Sequence, residues 1–175
     1  SIASPHVAGV AALVKEYLVK HHPELTPEQV SATVKALIMS TAKPHVNKET
    51  GAYTSPRQQG AGVVDTAASV STDLYVTGEN NYPSVTLGNV GDSFTFDVTV
   101  HNISDTDRTL KMLVNTDTDE VKDGKFTLRP RKLTETAWPE VTVKAHSSET
   151  VTVKVDTSKF TEELSKEMTN GYFLE

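Results

Sequence analysis

The sequence predicts a mixed fold, a helical N-terminal part followed by an all-β sandwich, and three observations carry that expectation. Apolar residues near the N-terminus recur at three- and four-residue spacing. After Ser71 the period falls to two. Short alternating runs separated by turn residues then continue to the end of the chain.

The first helix is predicted over Ser4 to Leu18, where Val7, Val10, Ala11, Val14 and Leu18 form one apolar stripe. Pro5 suits its first turn, because the missing N–H has no intrahelical partner there. Ala3, Ala8, Gly9, Ala11 and Ala12 permit close packing and predict a helix buried in a larger body. A second helix is announced by Thr26 as N-cap, Pro27 at the first position and Gln29 three residues after Thr26, a capping box. It should run to about Ser40 with Val30, Val34, Leu37 and Ile38 as its apolar face. From Lys43 to Gly62 the residues Pro44, Asn47, Gly51, Pro56, Gly60 and Gly62 break periodicity and predict a long loop. Asp65 then caps a short helical turn through Val70.

Strand signals follow. Phe94, Phe96, Val98 and Val100 alternate with Thr95, Asp97 and Thr99, and Leu110, Met112 and Val114 repeat the pattern. Val141 with Val143, and Val151, Val153 with Val155, do the same. With Leu74 to Thr77 and Tyr172 to Leu174 these predict six or seven short strands, arranged as an antiparallel sandwich resembling immunoglobulin or fibronectin type III domains. The boundary between the two parts is expected near Ser71 to Asp73, giving a division into residues 1–72 and 73–175. Tyr172 to Glu175 read as a strand that has only begun, and the first residue is Ser with no signal-peptide pattern behind it. Both ends are therefore expected to be cuts from a larger protein.

Composition narrows the function classes. Residues 1–70 carry six Lys/Arg against five Asp/Glu, whereas residues 71–175 carry eleven against eighteen. An acidic C-terminal half with no basic run lacks the electrostatic footprint for nucleic acid. No apolar run approaches the roughly 18 residues needed to span a bilayer. The chain has no cysteine, which removes disulfides and thiolate metal sites but leaves the compartment open.

The opening run Ser1-Ile2-Ala3-Ser4-Pro5-His6-Val7-Ala8-Gly9 resembles the nucleophile signature of subtilisin-family serine proteases, with Ser1 aligned on the nucleophile. The family's preceding Gly-Thr is absent, and Ile2 stands where Met is usual. A hydroxyl at a helix start lies beside unpaired N–H groups and the positive end of the dipole, so an oxyanion forming there is stabilised. The N–H of such a serine can donate to the tetrahedral intermediate. Serine also needs a base. His6 lies about 7.5 Å and about 140° further round the same helix, outside the roughly 2.6–3.2 Å that proton transfer demands. The resemblance implies a chain order of Asp, His, then Ser, which places both partners and the oxyanion Asn before this chain. The competing expectation is that Ser1 simply caps its helix.

A second stretch, Ser55-Pro56-Arg57-Gln58-Gln59-Gly60-Ala61-Gly62-Val63-Val64-Asp65, resembles the closing segment of the same catalytic domain. Its form is similar to that of the cell-envelope proteinases of lactic-acid bacteria and streptococci. His22 to Pro27, Leu74 to Gly78, Phe96 to Asn102 and Asn170 to Glu175 resemble the C5a peptidase branch of that group. The resemblance implies the C-terminal helical part of an α/β subtilisin-like catalytic domain followed by a fibronectin type III-like sandwich, from an extracellular, wall-anchored endopeptidase. It implies a protein or peptide substrate, a complement or chemokine protein among the candidates. Calcium belongs to the family, but no residue here matches a ligand motif, so no cofactor is expected in this stretch. Without Asp, His and oxyanion Asn, the chain alone is expected to be inactive. The alternative is a binding or spacer module of a cell-surface protein, which needs no nucleophile.

Four other features carry less. Asp117 to Gly124 fails the calcium-loop spacing at Val121 and Lys122 and reads as a solvated acidic turn. His21 and His22 diverge by about 100° on a helix end and read as a surface pair. Phe160 to Met168 reads as a short amphipathic helix or loop, and Trp138 as a sandwich-edge aromatic.

Overall fold

The computed structural model describes residues 1–167 and 173–175. Two helices, α1 (Ala3–His21) and α2 (Pro27–Thr41), lead into two short helices, α3 (Pro56–Gln59) and α4 (Thr66–Ser69). Strand β1 (Leu74–Thr77) follows, then β2 (Ser93–Asn102), β3 (Arg108–Lys122), β4 (Lys125–Val143) and β5 (Ser147–Asp156), and α5 (Ser158–Glu167) closes the described run. Every sheet contact is antiparallel: β1, β2 and β5 form one sheet with β2 in the middle, and β3 pairs with β4 in the other.

Local chemistry accounts for the helix ends. The Thr26 hydroxyl accepts from the Gln29 N–H at 3.3 Å while the Gln29 side chain accepts from the Thr26 N–H at 2.8 Å, closing the capping box that starts α2. Asp65 accepts from the Ala68 N–H at 3.0 Å and starts α4. In α1 the buried residues are Val10, Val14 and Leu18, while Val7, predicted to share that stripe, is 40% exposed. Residues 1–9 are all exposed. Val10, Val14 and Leu18 meet Val30 and Leu37 in a core that also takes in Tyr75 and Ile103 from beside the sheet. Completely burying Leu18 and Leu37 contributes roughly 1.5–3 kcal/mol each.

The loop between α2 and α4 is held by isolated bridges, Lys43 to Val63 and Val46 to Tyr53. Gly62 sits there at φ +120, and a Cβ would overlap the Lys43 carbonyl, so the second glycine of Gly60-Ala61-Gly62 is fixed by a close backbone approach.

The sheets differ from expectation in number and length. Five strands are present among the described residues, and two of them, β3 with 15 residues and β4 with 19, form one long hairpin. Asp123 (φ 52) and Gly124 (φ 70) make its two-residue turn, as the left-handed backbone of that hairpin class requires. The acidic run before the turn is strand rather than solvated loop. Thr116, Asp117, Thr118 and Asp119 are all buried, and register shifts at Thr116/Asp117 and Asp119/Val121 flank them. Such bulges break strict alternation and re-aim side chains. A second apolar core of Val100, Val141 and Val143, with Leu110, Met112 and Val151 against it, joins the two sheets. Trp138 stands opposite Met112 on β4, whose other long edge is unpaired over that stretch.

The predicted strand at Tyr172 to Leu174 lies partly outside the described residues. Of the rest, Glu175 exchanges both backbone hydrogen bonds with Asp117 (2.8 and 2.9 Å), and the Phe173 carbonyl accepts from the Thr118 hydroxyl at 2.6 Å. The end of the described chain thus runs along β3. The amphipathic segment predicted from Phe160 is helical from Ser158, with Leu164 buried; Met168 lies outside the described residues.

Polar contacts join the two parts on two sides, beside the shared apolar core. His22, predicted as a surface residue, is buried: its Nε2 lies 3.0 Å from Asp73 Oδ1 and its Nδ1 3.3 Å from Glu24 Oε1. The Tyr17 hydroxyl donates to the same Asp73 oxygen at 2.8 Å, and burial, followed by the Asp73 charge, pushes that phenol up to about 12. The correction has a physical cause: Asp73, at φ 51, turns its carboxylate back onto the helix end, and a carboxylate is the partner that makes histidine burial tolerable. On the other side, Arg57 Nη2 lies 3.0 Å from Asp119 Oδ2 and its Nε 2.6 Å from Glu175 Oε1. Its guanidinium covers the Phe173 ring at 4.0 Å from the centroid.

Candidate active site

Ser1 precedes α1 and is exposed, and its hydroxyl has no hydrogen-bond partner among the described residues. The N-cap position belongs to Ile2, which already has helical backbone (φ −79, ψ −36), and no side chain caps the helix. The capping role that a serine commonly takes at a helix start is therefore not filled by Ser1. Its hydroxyl stands instead at an open helix N-terminus, where first-turn N–H groups and the dipole favour developing negative charge. Pro5 within that turn contributes no N–H.

His6 is turned away from Ser1. Its Nδ1 lies 2.8 Å from the Ile2 carbonyl, four residues back on the same helix, and because a carbonyl only accepts, Nδ1 carries the proton. The other histidines are engaged elsewhere: His45 with Thr54 at 2.7 Å, His146 with Asp105 at 2.7 Å, His21 stacked on Tyr17, His22 as described, and His101 within the sheet. None is hydrogen-bonded to Ser1.

One serine–histidine pair does form and was not legible in the sequence. Ser148 Oγ lies 2.9 Å from His101 Nδ1, the two residues facing each other across β2 and β5. A nucleophile needs its base oriented by a third group, usually a carboxylate. Here the other ring nitrogen meets the Thr77 hydroxyl at 2.8 Å, and the ring stacks on Tyr75 at 4.5 Å. Burial lowers the His101 pKa. With no carboxylate and no helix start beside it, this is a cross-strand packing cluster rather than an acyl-transfer centre.

Residues 1–62 match the model of the Subtilase family, and residues 85–175 match that of the Fn3-like domain. The chain is a subtilase segment followed by an Fn3-like domain. Over 176 aligned residues and its whole length it is 41% identical to a C5a peptidase of Streptococcus pyogenes serotype M6. Over 190 residues it is 30% identical to the PI-type proteinase of Lactococcus lactis subsp. cremoris. It spans 15% of the length of the first relative and 10% of the second.

The subtilase segment contains Ser1, both long helices and the Gly60-Ala61-Gly62 turn that closes against Lys43. The match to the Fn3-like domain begins at residue 85, although β1 at Leu74–Thr77 is already part of its sheet. That strand is contributed by the connecting stretch, and the Ser40 hydroxyl accepts from the Val76 N–H at 2.9 Å to tie it to α2. The residues that join segment and domain, Arg57 with Asp119 and His22 with Asp73, are 62 and 51 positions apart. No local pattern in the sequence pairs them.

Proposed function

We propose that this chain is the nucleophile-bearing part of an extracellular serine endopeptidase and that Ser1 performs the covalent step. In that reading Ser1 Oγ attacks the scissile carbonyl, and a histidine from another part of the parent protein takes its proton. An aspartate from the same part orients that histidine. The Ser1 N–H and the start of α1 stabilise the oxyanion. The observation that carries the reading is the Ser1 to Gly9 motif, seated at an open helix N-terminus with the Ser1 hydroxyl free of any capping bond.

The substrate is a protein or peptide, a host complement or chemokine protein among the candidates, and the chain is more similar to the C5a peptidase than to the PI-type proteinase. We place the parent protein outside the cell, anchored in the wall. Residues 1–72 form the end of the catalytic domain and residues 73–175 the adjoining sandwich. Its long hairpin braces the Ser55–Gly62 loop through Arg57.

Peptidase assays of the parent protein and of residues 1–175 alone separate this reading from a spacer or binding module. We expect turnover of a protein substrate by the parent and none by the isolated chain, which holds no base for Ser1. A parent protein without hydrolytic activity would favour the module.

A further inference from the structure

The contact between the Tyr53–Arg57 loop and β3 has an imbalance of acceptors over donors. Arg57 serves two carboxylates, Asp119 and Glu175, and the Ser55 hydroxyl donates to the same Glu175 oxygen at 2.6 Å. A third carboxylate, Asp117, accepts from the Tyr53 N–H at 2.8 Å through Oδ2. Asp117 is only 4% exposed and Asp119 only 3%. The Oδ1 atoms of both, and that of neighbouring Asn115, are buried with no hydrogen-bond partner. A cavity of about 370 Å³ opens beside them between the loop and the hairpin, lined by Tyr53, Pro56, Asn115, Asp117 and Glu175.

The charged groups facing Asp117 do not balance it. Arg57 is committed to Asp119 and Glu175, and Lys132, from the paired strand β4, is bonded to Glu135 at 2.6 Å. Lys132 attracts the Asp117 charge, while Glu175 and Glu135 repel it. Buried acceptors without donors are rare in native proteins and call for a missing donor. No group of three or more His, Asp or Glu positioned to hold a metal ion occurs among the described residues.

We propose that this junction is a proton-operated clasp between the subtilase segment and the Fn3-like domain. One solvent proton, taken up by Asp117 through the cavity it lines, converts an unpartnered acceptor into a donor and tightens the contact. Burial, the largest influence, holds the Asp117 carboxyl above the ordinary carboxylate range, opposed by the Tyr53 N–H and Lys132 and reinforced by Glu175 and Glu135. A carboxyl raised in the folded state contributes stability that is complete below its unfolded value of about 3.9 and disappears as pH rises through the raised value. The clasp therefore loosens toward neutral pH and closes in mild acid. The proposal is independent of the role assigned to Ser1.

The test compares the Tm of the chain with that of its Asp117→Asn variant from about pH 8 down to about pH 4. The amide keeps an acceptor for the Tyr53 N–H and presents a permanent N–H₂ donor. We expect the wild-type chain to gain about 2–4 °C relative to the variant as the pH falls. Parallel curves would overturn the clasp, as would stabilisation of the wild-type chain by calcium or magnesium chloride but not by acid. Should the variant fail to fold, ¹³C titration of the wild-type side chains decides: the Asp117 carboxyl titrating above about 3.9 supports it. Asp117 titrating at or below that value would refute it.

Discussion

Replacing Ser1 by Ala in the parent protein is expected to lower kcat by on the order of 10⁶-fold, a scale taken from subtilisin itself rather than derived from this chain. The substitution removes the atom that forms the acyl bond, and the oxyanion donors that remain give only residual catalysis. In residues 1–175 alone the same substitution should scarcely move Tm, because there Ser1 is exposed, caps nothing and has no hydrogen-bond partner. His6→Ala should behave in the opposite sense. It deletes a bond to the Ile2 carbonyl and leaves the reaction's proton transfers untouched, so any change should appear first in Tm. Loss of turnover without loss of Tm at Ser1 is the signature that separates a nucleophile from a helix-end serine.

Arg57→Ala is expected to destabilise the chain by about 3 kcal/mol. Removing one partner of a buried pair leaves an uncompensated charge, and here Asp119 is 3% exposed and Glu175 also loses its guanidinium. The Arg57 side chain itself is 44% exposed, so solvent screening holds the loss to the low end of the range for fully buried pairs. The planar face over Phe173 is lost as well. Arg57→Lys should recover only part of the difference, because an ammonium cannot bond both carboxylates in fork geometry or stack on the ring. Urea unfolding measures both variants. A loss below about 0.5 kcal/mol for Arg57→Ala would mean that the junction contributes nothing to stability.

These two residues also mark how far the sequence speaks. Thr26 with Gln29, Asp65 with Ala68, and Asp123-Gly124 were legible because each acts within a few positions of its partner. The β runs at Phe94 to Val100 and Leu110 to Val114 were legible because one face is buried and the other is not. Asp117 to Asp119 misled for the same reason that Arg57 was overlooked. An acidic run reads as a solvated turn unless its partners are known, and the Tyr53 N–H and the Arg57 guanidinium lie more than 60 positions away. His22 looked like a surface histidine because Asp73 is not its neighbour in sequence. The helical period placed the α1 stripe but could not show that Val7 is left exposed. Ser1 is a different case. Its chemistry was legible only as a motif, and the structure adds the open helix start and the absence of a cap.

The most direct measurement is peptide mapping of the parent protein after reaction with a serine-directed fluorophosphonate. We expect a single stoichiometric label on the peptide that contains Ser1, and none on Ser148 despite its histidine neighbour. Labelling at another serine, or hydrolysis of protein substrate with Ser1 unlabelled and replaceable, would contradict the assignment of Ser1 as the nucleophile.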